Sequence, residues 1–575
     1  MSDAVVLNPQ QFALPAALAA TIDDIRSTWT REKKVAALWK KDARLWTNSD
    51  EGRWLGWLDA PERARELVPE LTAFADEIHR EGFTHALLLG MGGSSLAPEV
   101  LRLSFGRLGS APDFAILDST DPAQVLAAEA RCDLARTLVI VASKSGSTLE
   151  PNVFLQYIHA RLRDTVGDAR AARQMVAITD PGSKMQQVAE REHFRHVFFG
   201  DPSIGGRYSA LSPFGLVPAA VMGIDVARFL SHAQAMAAAC RRDDAADNPG
   251  VALGVLLGAA AAAGRDKLTI TTSPGIFDLG AWLEQLIAES TGKLGKAIIP
   301  VDLEGRMPPG HYGADRVFVS LTTESDTDEA RSAWLGAIEA AGHPVIRIRV
   351  SDGAYGLAQE FFRWEVATAV AGAVMGLHPF DQPDVEAAKI ATRAITSAYE
   401  TTGALPAESP LFAADGLAFY ADAANAAALT AACGRDVSAR RLLDAHVARV
   451  DAGDYVALLA YLEMNARHAG VVADIRGAIA HRTKAATCVG FGPRFLHSTG
   501  QAYKGGGHNG VFLQFTADDA RDVQVPGQRF TFGVVKAAQA LGDLQVLNER
   551  GRRALRVHLG ADVAAGLAQV LRLLA

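Results

Sequence analysis

Two short stretches gather glycines and hydroxyls where an anion would sit. Gly90-Met91-Gly92-Gly93-Ser94-Ser95 follows the apolar run THALLLG and precedes an apolar segment that starts near Leu96. Glycines at such a strand-to-helix turn let backbone N–H groups approach an anion, and the positive helix end favours phosphate. A dinucleotide fingerprint would require a third glycine where Ser95 stands, so the turn does not read as an NAD site. Ser143-Lys144-Ser145-Gly146-Ser147-Thr148 ends the run TLVIVAS, again before a helical stretch. Four hydroxyls and an ammonium crowd this strand end, a composition suited to the oxygens of a phosphate monoester. Structural readings exist for both stretches: a plain turn for the first and an N-cap cluster for the second. Two such ends in one sheet, at the carboxyl side where open α/β sheets take their ligands, favour phosphate.

The elements that carry these turns are legible from periodicity. From about residue 84, short apolar runs (THALLLG, AILDS, TLVIVAS, MVAITD, HVFFG) alternate with longer amphipathic stretches. That alternation predicts parallel strands joined by crossover helices. A second series follows the Asp-rich break between Arg241 and Pro249, with KLTITTS, KAIIPV, RVFVSL and HPVIRIRV, and closes with a helix expected from Asp384 to Glu400. Beyond the turn formers of residues 401–410, a third series contains YVALLAYL, ATCVGFG, GVFLQF and ALRVHLG. Upstream of all three, residues 32–46 space Val35, Leu38, Trp39, Ala43 and Trp46 for one amphipathic helix.

Composition bounds the rest. A chain of 575 residues with 49% hydrophobic and 21% charged residues has ample material for several cores, and three or four domains of roughly 150 residues are expected. The net charge of −8 comes from interspersed acids and bases, with no basic block for a nucleic-acid backbone. Cys132, Cys240, Cys433 and Cys488 lie far apart without a C-x-x-C pair, which argues against a disulfide framework or a zinc knuckle and fits a reducing cytoplasm. No leader pattern and no membrane-length apolar run is expected, and the Ala-rich stretch from Leu256 to Ala263 reads as a buried helix. The scattered histidines suggest no metal site, and neither a G-x-S-x-G elbow nor an activated cysteine points to a covalent nucleophile.

With these segments in view, GMGGSS and SKSGST resemble the sugar-isomerase domain shared by phosphosugar isomerases, aminosugar synthases and phosphosugar-responsive regulators. Three further segments narrow the resemblance to the glucose-6-phosphate isomerase family. Ile204-Gly205-Gly206-Arg207-Tyr208-Ser209 resembles its first signature, with Pro202 departing from the usual pattern just upstream. Phe380-Asp381-Gln382-Pro383-Asp384-Val385-Glu386-Ala387-Ala388-Lys389 resembles its second, with Asp384 in place of a glycine, and Glu289-Ser290-Thr291-Gly292-Lys293 resembles its base-bearing loop. The stretch from Gly490 to Gly506, which contains His497-Ser498-Thr499-Gly500-Gln501, is similar to the isomerase half of bacterial transaldolase and glucose-6-phosphate isomerase fusions. A transaldolase barrel of about 250 residues finds no room beside these segments.

The resemblance implies an α/β architecture: tandem sugar-isomerase-type doubly wound parallel sheets plus a third α/β module. Its expected bounds are a helical arm at 1–79, sugar-isomerase domains at 80–240 and 241–403, and a C-terminal module at 404–575. It implies interconversion of glucose 6-phosphate and fructose 6-phosphate without a cofactor, by a cytoplasmic homodimer whose partner is the phosphosugar rather than nucleic acid or membrane. Moving a proton between C1 and C2 needs a base effective near pH 7. Glu289, at the end of the apolar helix carrying Trp282, Leu283, Leu286 and Ile287, is the candidate, because a solvated acid is poorly placed at the negative end of a helix. Arg207 and Gln382 are implied to stabilise the enediolate. Gly93, Ser94, Ser143, Lys144, Ser145 and Thr148 are implied to hold the phosphate, with His311 and Lys389 opening the ring and His497 competing with His311. The alternatives are an isomerase of another phosphosugar and a regulator that binds the phosphosugar without turnover. The run from Lys504 to Gly507 reads as either a phosphate lid or a turn.

Overall fold

A computed structural model describes residues 5–575. Its internal contacts divide the chain into two compact units: the described part of Met1–Asp118 with Ala128–Thr291 and Arg316–Asp381, and Ser119–Ala127 with Gly292–Asp315 and Gln382–Ala575.

The first unit holds the sheet that carries both hydroxyl turns. Its parallel strands lie in the order Asp113–Leu117, His85–Leu89, Thr137–Ala142, Met175–Thr179, His196–Phe199. Burial on both faces explains their continuous apolar sequences. From His85–Leu89 the chain crosses to one side, and Thr137–Ala142 returns on the other, so the strand order reverses between these two neighbours. The crevice outside their carboxyl ends is where ligands of open α/β sheets bind. A second sheet of the unit sets Lys267–Thr272, Arg316–Thr323 and Val345–Val350 in parallel, with Gln10–Ala13 antiparallel along the last. The Ala-rich stretch lies in the helix Pro249–Ala262, buried along most of its length. Among the described residues no helix is long and apolar enough to cross a membrane.

The expected helix over residues 32–46 does not form as one piece. Lys34–Trp39 is helical, Lys41 then adopts a φ of 60°, and one 3₁₀ turn follows at Ala43–Leu45. The Asp42 carboxylate accepts the Arg44 N–H at 3.1 Å, drawing the backbone out of the helix as short acids do.

The second unit carries a six-stranded sheet in the order Phe412–Ala414, Leu417–Tyr420, Arg553–His558, Gly510–Thr516, Tyr455–Ala460, Ala486–Phe491. The last four strands are parallel and the first two form an antiparallel hairpin on the edge. Its core joins Leu458, Leu513 and Leu555 from the strands to Leu443, Ile475 and Leu567 from the covering helices. The helix expected from Asp384 to Glu400 runs over Pro383–Thr402, with a proline in its first turn, acids at Asp384 and Glu386, and Gly403 ending it at a φ of 74°. The fold class is therefore α/β, with two largely parallel sheets followed by a third α/β module.

Candidate functional site

In the first unit, Gly92–Ser94 makes a 3₁₀ turn off its strand and leads into the helix Leu96–Phe105. Ser95 is buried, and its hydroxyl lies 3.3 Å from an Asp118 carboxylate oxygen. Gly93 cannot be replaced without movement, because a Cβ there would fall 2.0 Å from the Gly206 carbonyl oxygen. The turn is thus pressed against the loop that carries Arg207.

The second turn is more open. The Ser143 hydroxyl is buried without a hydrogen-bond partner, whereas Ser145 and Ser147 are more exposed, their hydroxyls 2.8 Å apart. Thr148 begins the long helix Leu149–Val166 yet makes no side-chain capping bond, leaving amide donors at a positive helix end. Gly146, at a φ of 66°, lets the loop pass Met185, whose amide nitrogen a Cβ would approach to 2.2 Å. Lys144 pairs with Asp180 and donates to the Asp201 carbonyl at 3.2 Å. Burial pushes the Asp180 carboxyl above the ordinary carboxylate range, opposed by the adjacent Lys144. Pro202 does not disturb the following turn: Ile204 N–H reaches the Asp201 carbonyl at 3.0 Å, and Asp201 also pairs with Arg63 at 2.6 Å.

The loop from Asp201 to Gly206 therefore touches both turns and delivers Arg207. Arg207 is 3% exposed. Its guanidinium donates from Nε to Ser290 Oγ at 2.8 Å and from Nη2 to the Pro379 and Asp381 carbonyls at 2.8 and 3.0 Å. Its Nη1 lies 3.3 Å from Glu289 Oε1. Glu289, 7% exposed, sits in the last turn of the helix Leu279–Thr291 and accepts from Gln285 Nε2 at 3.2 Å. Tyr208 places its hydroxyl 3.3 Å from Ser290 Oγ and stacks on Trp57, and burial pushes that phenol well above its usual range. Anchors at Ser290, Glu289 and the Pro379 and Asp381 carbonyls leave the guanidinium little freedom, so a positive charge and a carboxylate face each other in a fixed, nearly dry setting.

Residue type and spacing alone assign no role to Gln285, Ser290, Tyr208, Asp180 and Asp201. Two of them carried a signal: Ser290 adjoins Glu289, and Gln285 lies four residues before it on the same helical face.

The remaining candidates lie in the second unit. Gln382 precedes the helix Pro383–Thr402 and is exposed. Lys389, half-buried, lies 4.0 Å from Glu386 on that helix. His311 ends the 3₁₀ turn Pro309–His311 and stacks on His481 with centroids 4.9 Å apart. His497 ends another, Arg494–His497. Asp384, at the departure from the second signature, is locked by Gln501 and by Arg550 at 2.7 Å. Of the two readings of the run from Lys504, the phosphate lid is ruled out. Lys504, 1% exposed on its side chain, pairs at 2.5 Å with Asp543, and Arg552 ties down the Lys504, Gly506 and Gly507 carbonyls.

The phosphoglucose isomerase family pattern matches residues 74–301. The glucose-6-phosphate isomerase of Rubrobacter xylanophilus is 30% identical over 398 residues, covering 59% of this chain and 88% of that protein. That of a Synechococcus species is 34% identical over 271 residues, covering 43% and 50%. The chain thus spans half the length of that relative. Among solved structures, a hypothetical protein from Thermus thermophilus superposes with a TM-score of 0.58 at 24% identity, over 67% of this chain and 99% of that one. A glucose-6-phosphate isomerase from Chlamydia trachomatis gives 0.55 at 19%, over 67% and 87%. Both structures share the fold, and the Rubrobacter relative carries the descent: the chain belongs to the phosphoglucose isomerase family.

Proposed function

We propose that the chain interconverts glucose 6-phosphate and fructose 6-phosphate through an enediolate, with Glu289 shuttling the proton between C2 and C1. The observation that carries this reading is the buried Glu289 carboxylate 3.3 Å from the anchored Arg207 guanidinium. A base is useful only if the charge it creates is met. Abstraction from C2 leaves negative charge on the sugar oxygens, and a guanidinium already fixed by Ser290 and two carbonyls needs no reorganisation to receive it. The phosphate is assigned to the second turn, where the orphaned Ser143 hydroxyl, Ser145 and the uncapped start of the helix at Thr148 converge, with Lys144, held by Asp180, beside them and Gly93 and Ser94 shaping the neighbouring strand end. Gln382 as a further enediolate donor, Lys389 and His311 as ring openers and homodimerisation rest on the resemblance carried by the second signature and the order of the segments, and a cytoplasmic site on the widely separated cysteines. Exchange from C2-deuterated glucose 6-phosphate tests the reaction. Glu289→Gln is expected to lose about a thousandfold or more in turnover while still binding the sugar phosphate. Unchanged turnover in that variant would remove the mechanism.

A further inference from the structure

The second unit has a crevice of its own, at the reversal point of its sheet. From Tyr455–Ala460 the chain crosses to Ala486–Phe491 on one side and returns as Gly510–Thr516 on the other. Outside the carboxyl ends of Tyr455–Ala460 and Gly510–Thr516 lies a cavity of about 310 Å³, lined among others by Tyr420, Tyr461, Asp519, Lys536, Arg556 and His558. We propose that this cavity binds a small, uncharged polyhydroxylated ligand of monosaccharide size, at a site separate from the one built on Glu289.

Its location follows from topology, and its volume, at the low end of the usual range for ligand pockets, sets the size. The charge arrangement selects the chemistry. Lys536 is held by Asp121 at 2.8 Å and by Asp519. Arg556 donates to Glu408 at 2.7 Å and lies 4.2 Å over the Tyr420 ring, while His558 is 3.3 Å from Asp518. The start of the helix Phe532–Glu549 is already taken by Thr531 and by Asp522, which accepts the Gly533 N–H at 2.8 Å. Lys536 and Arg556 are thus matched by carboxylates, another lies beside His558, and a phosphate would meet those carboxylates at close range. A hydroxyl both donates and accepts, so it can bridge such pairs without disturbing their charge balance. One donor is spare: the Nε of Arg556, in a side chain 5% exposed, has no hydrogen-bond partner. Tyrosine rings in the wall suit the C–H faces of a sugar.

The test uses the full chain with sorbitol, D-glucose, D-ribose and inorganic phosphate as probes, read by saturation-transfer NMR and calorimetry. At least one neutral probe should bind one-to-one with a Kd on the order of millimolar. Ala537→Phe, which fills the cavity from the helix, and Asp518→Asn, at a side chain 65% exposed, should each weaken it about tenfold. Phosphate binding should be equal in wild type and Ala537→Phe. Asp518→Asn decides alone if the larger substitution does not fold. No binding by any neutral probe, binding indifferent to the variants, or phosphate binding abolished by Ala537→Phe would each overturn the proposal.

Discussion

Each unit has a crevice at the same topological position, yet the two are furnished in opposite ways. In the first, the strand ends after Leu89 and Ala142 present glycines, an orphaned hydroxyl and an uncapped helix start, and its permanent charges are drawn back into the pairs Lys144–Asp180 and Arg207–Glu289. In the second, ionisable side chains line the cavity and are satisfied through Lys536–Asp121, Arg556–Glu408 and His558–Asp518. Topology explains why both crevices exist. What each can accept is decided by whether the donors at the strand ends are free or already spent: free hydroxyls and amides suit an anion, and matched ion pairs suit a neutral partner.

If the second crevice is held together by its own pairs, removing one partner must damage the fold. Lys536→Met leaves Asp121 and Asp519 without their buried counter-ion, and a loss of roughly 3–5 kcal/mol is expected in denaturant unfolding. A loss below about 1 kcal/mol would mean that the pairs are solvated and the contrast is overstated. The first crevice should fail differently. Gly93→Ala drives a Cβ into the Gly206 carbonyl, one residue before Arg207, and kcat is expected to fall about a hundredfold through displacement of that guanidinium. An unchanged kcat would show that the two loops can separate freely. Ser143→Ala removes a hydroxyl that has no protein partner to lose. Thermal stability should hold or rise, while KM for the sugar phosphate increases about tenfold, the worth of one hydrogen bond to a charged group. A fall in stability with KM unchanged would assign Ser143 to the fold instead.

Much of the fold was legible because parallel strands buried on both faces must be continuously apolar, and each such run in the sequence is a strand or its immediate flank. The edge hairpin Phe412–Ala414 with Leu417–Tyr420 was not read: its strands are too short for a period, although Asp415-Gly416, with φ of 53° and 80°, is a recognised hairpin turn. The break in the helix over residues 32–46 is not legible, because side-chain spacing does not register an acid that competes for a backbone N–H. At the site, Ser143 and Glu289 stood out by residue type and by their neighbours along the chain. What holds Arg207 did not, since two of its acceptors are the carbonyls of Pro379 and Asp381, and any residue type supplies a carbonyl. The role of Lys504 is hidden for a related reason: beside a glycine run it reads equally as an anion donor or as part of a turn, and Asp543, which claims it, is distant in sequence.

The smallest expected effect concerns the strand whose carboxyl end borders the second crevice. His446 is fully buried, with Nε2 2.9 Å from the Phe512 carbonyl of the strand Gly510–Thr516 and Nδ1 without a partner. Burial, reinforced by the Arg449 charge, lowers its pKa to about 3. The unfolded chain takes up a proton at this residue below pH 6.5, the ordinary histidine value, whereas the folded chain remains neutral there until pH is near 3. The contribution is therefore complete above that ordinary value and is lost progressively as pH falls toward the lowered one. Between pH 7 and about 5.5 the cost is about 1 kcal/mol. His446→Gln keeps a donor for the Phe512 carbonyl but cannot titrate, so its unfolding free energy should fall less than that of wild type over the same interval, by about that amount. Parallel pH profiles for the two proteins would show that the imidazole takes up its proton in the fold as readily as in the unfolded chain, and that this strand tolerates a buried cation.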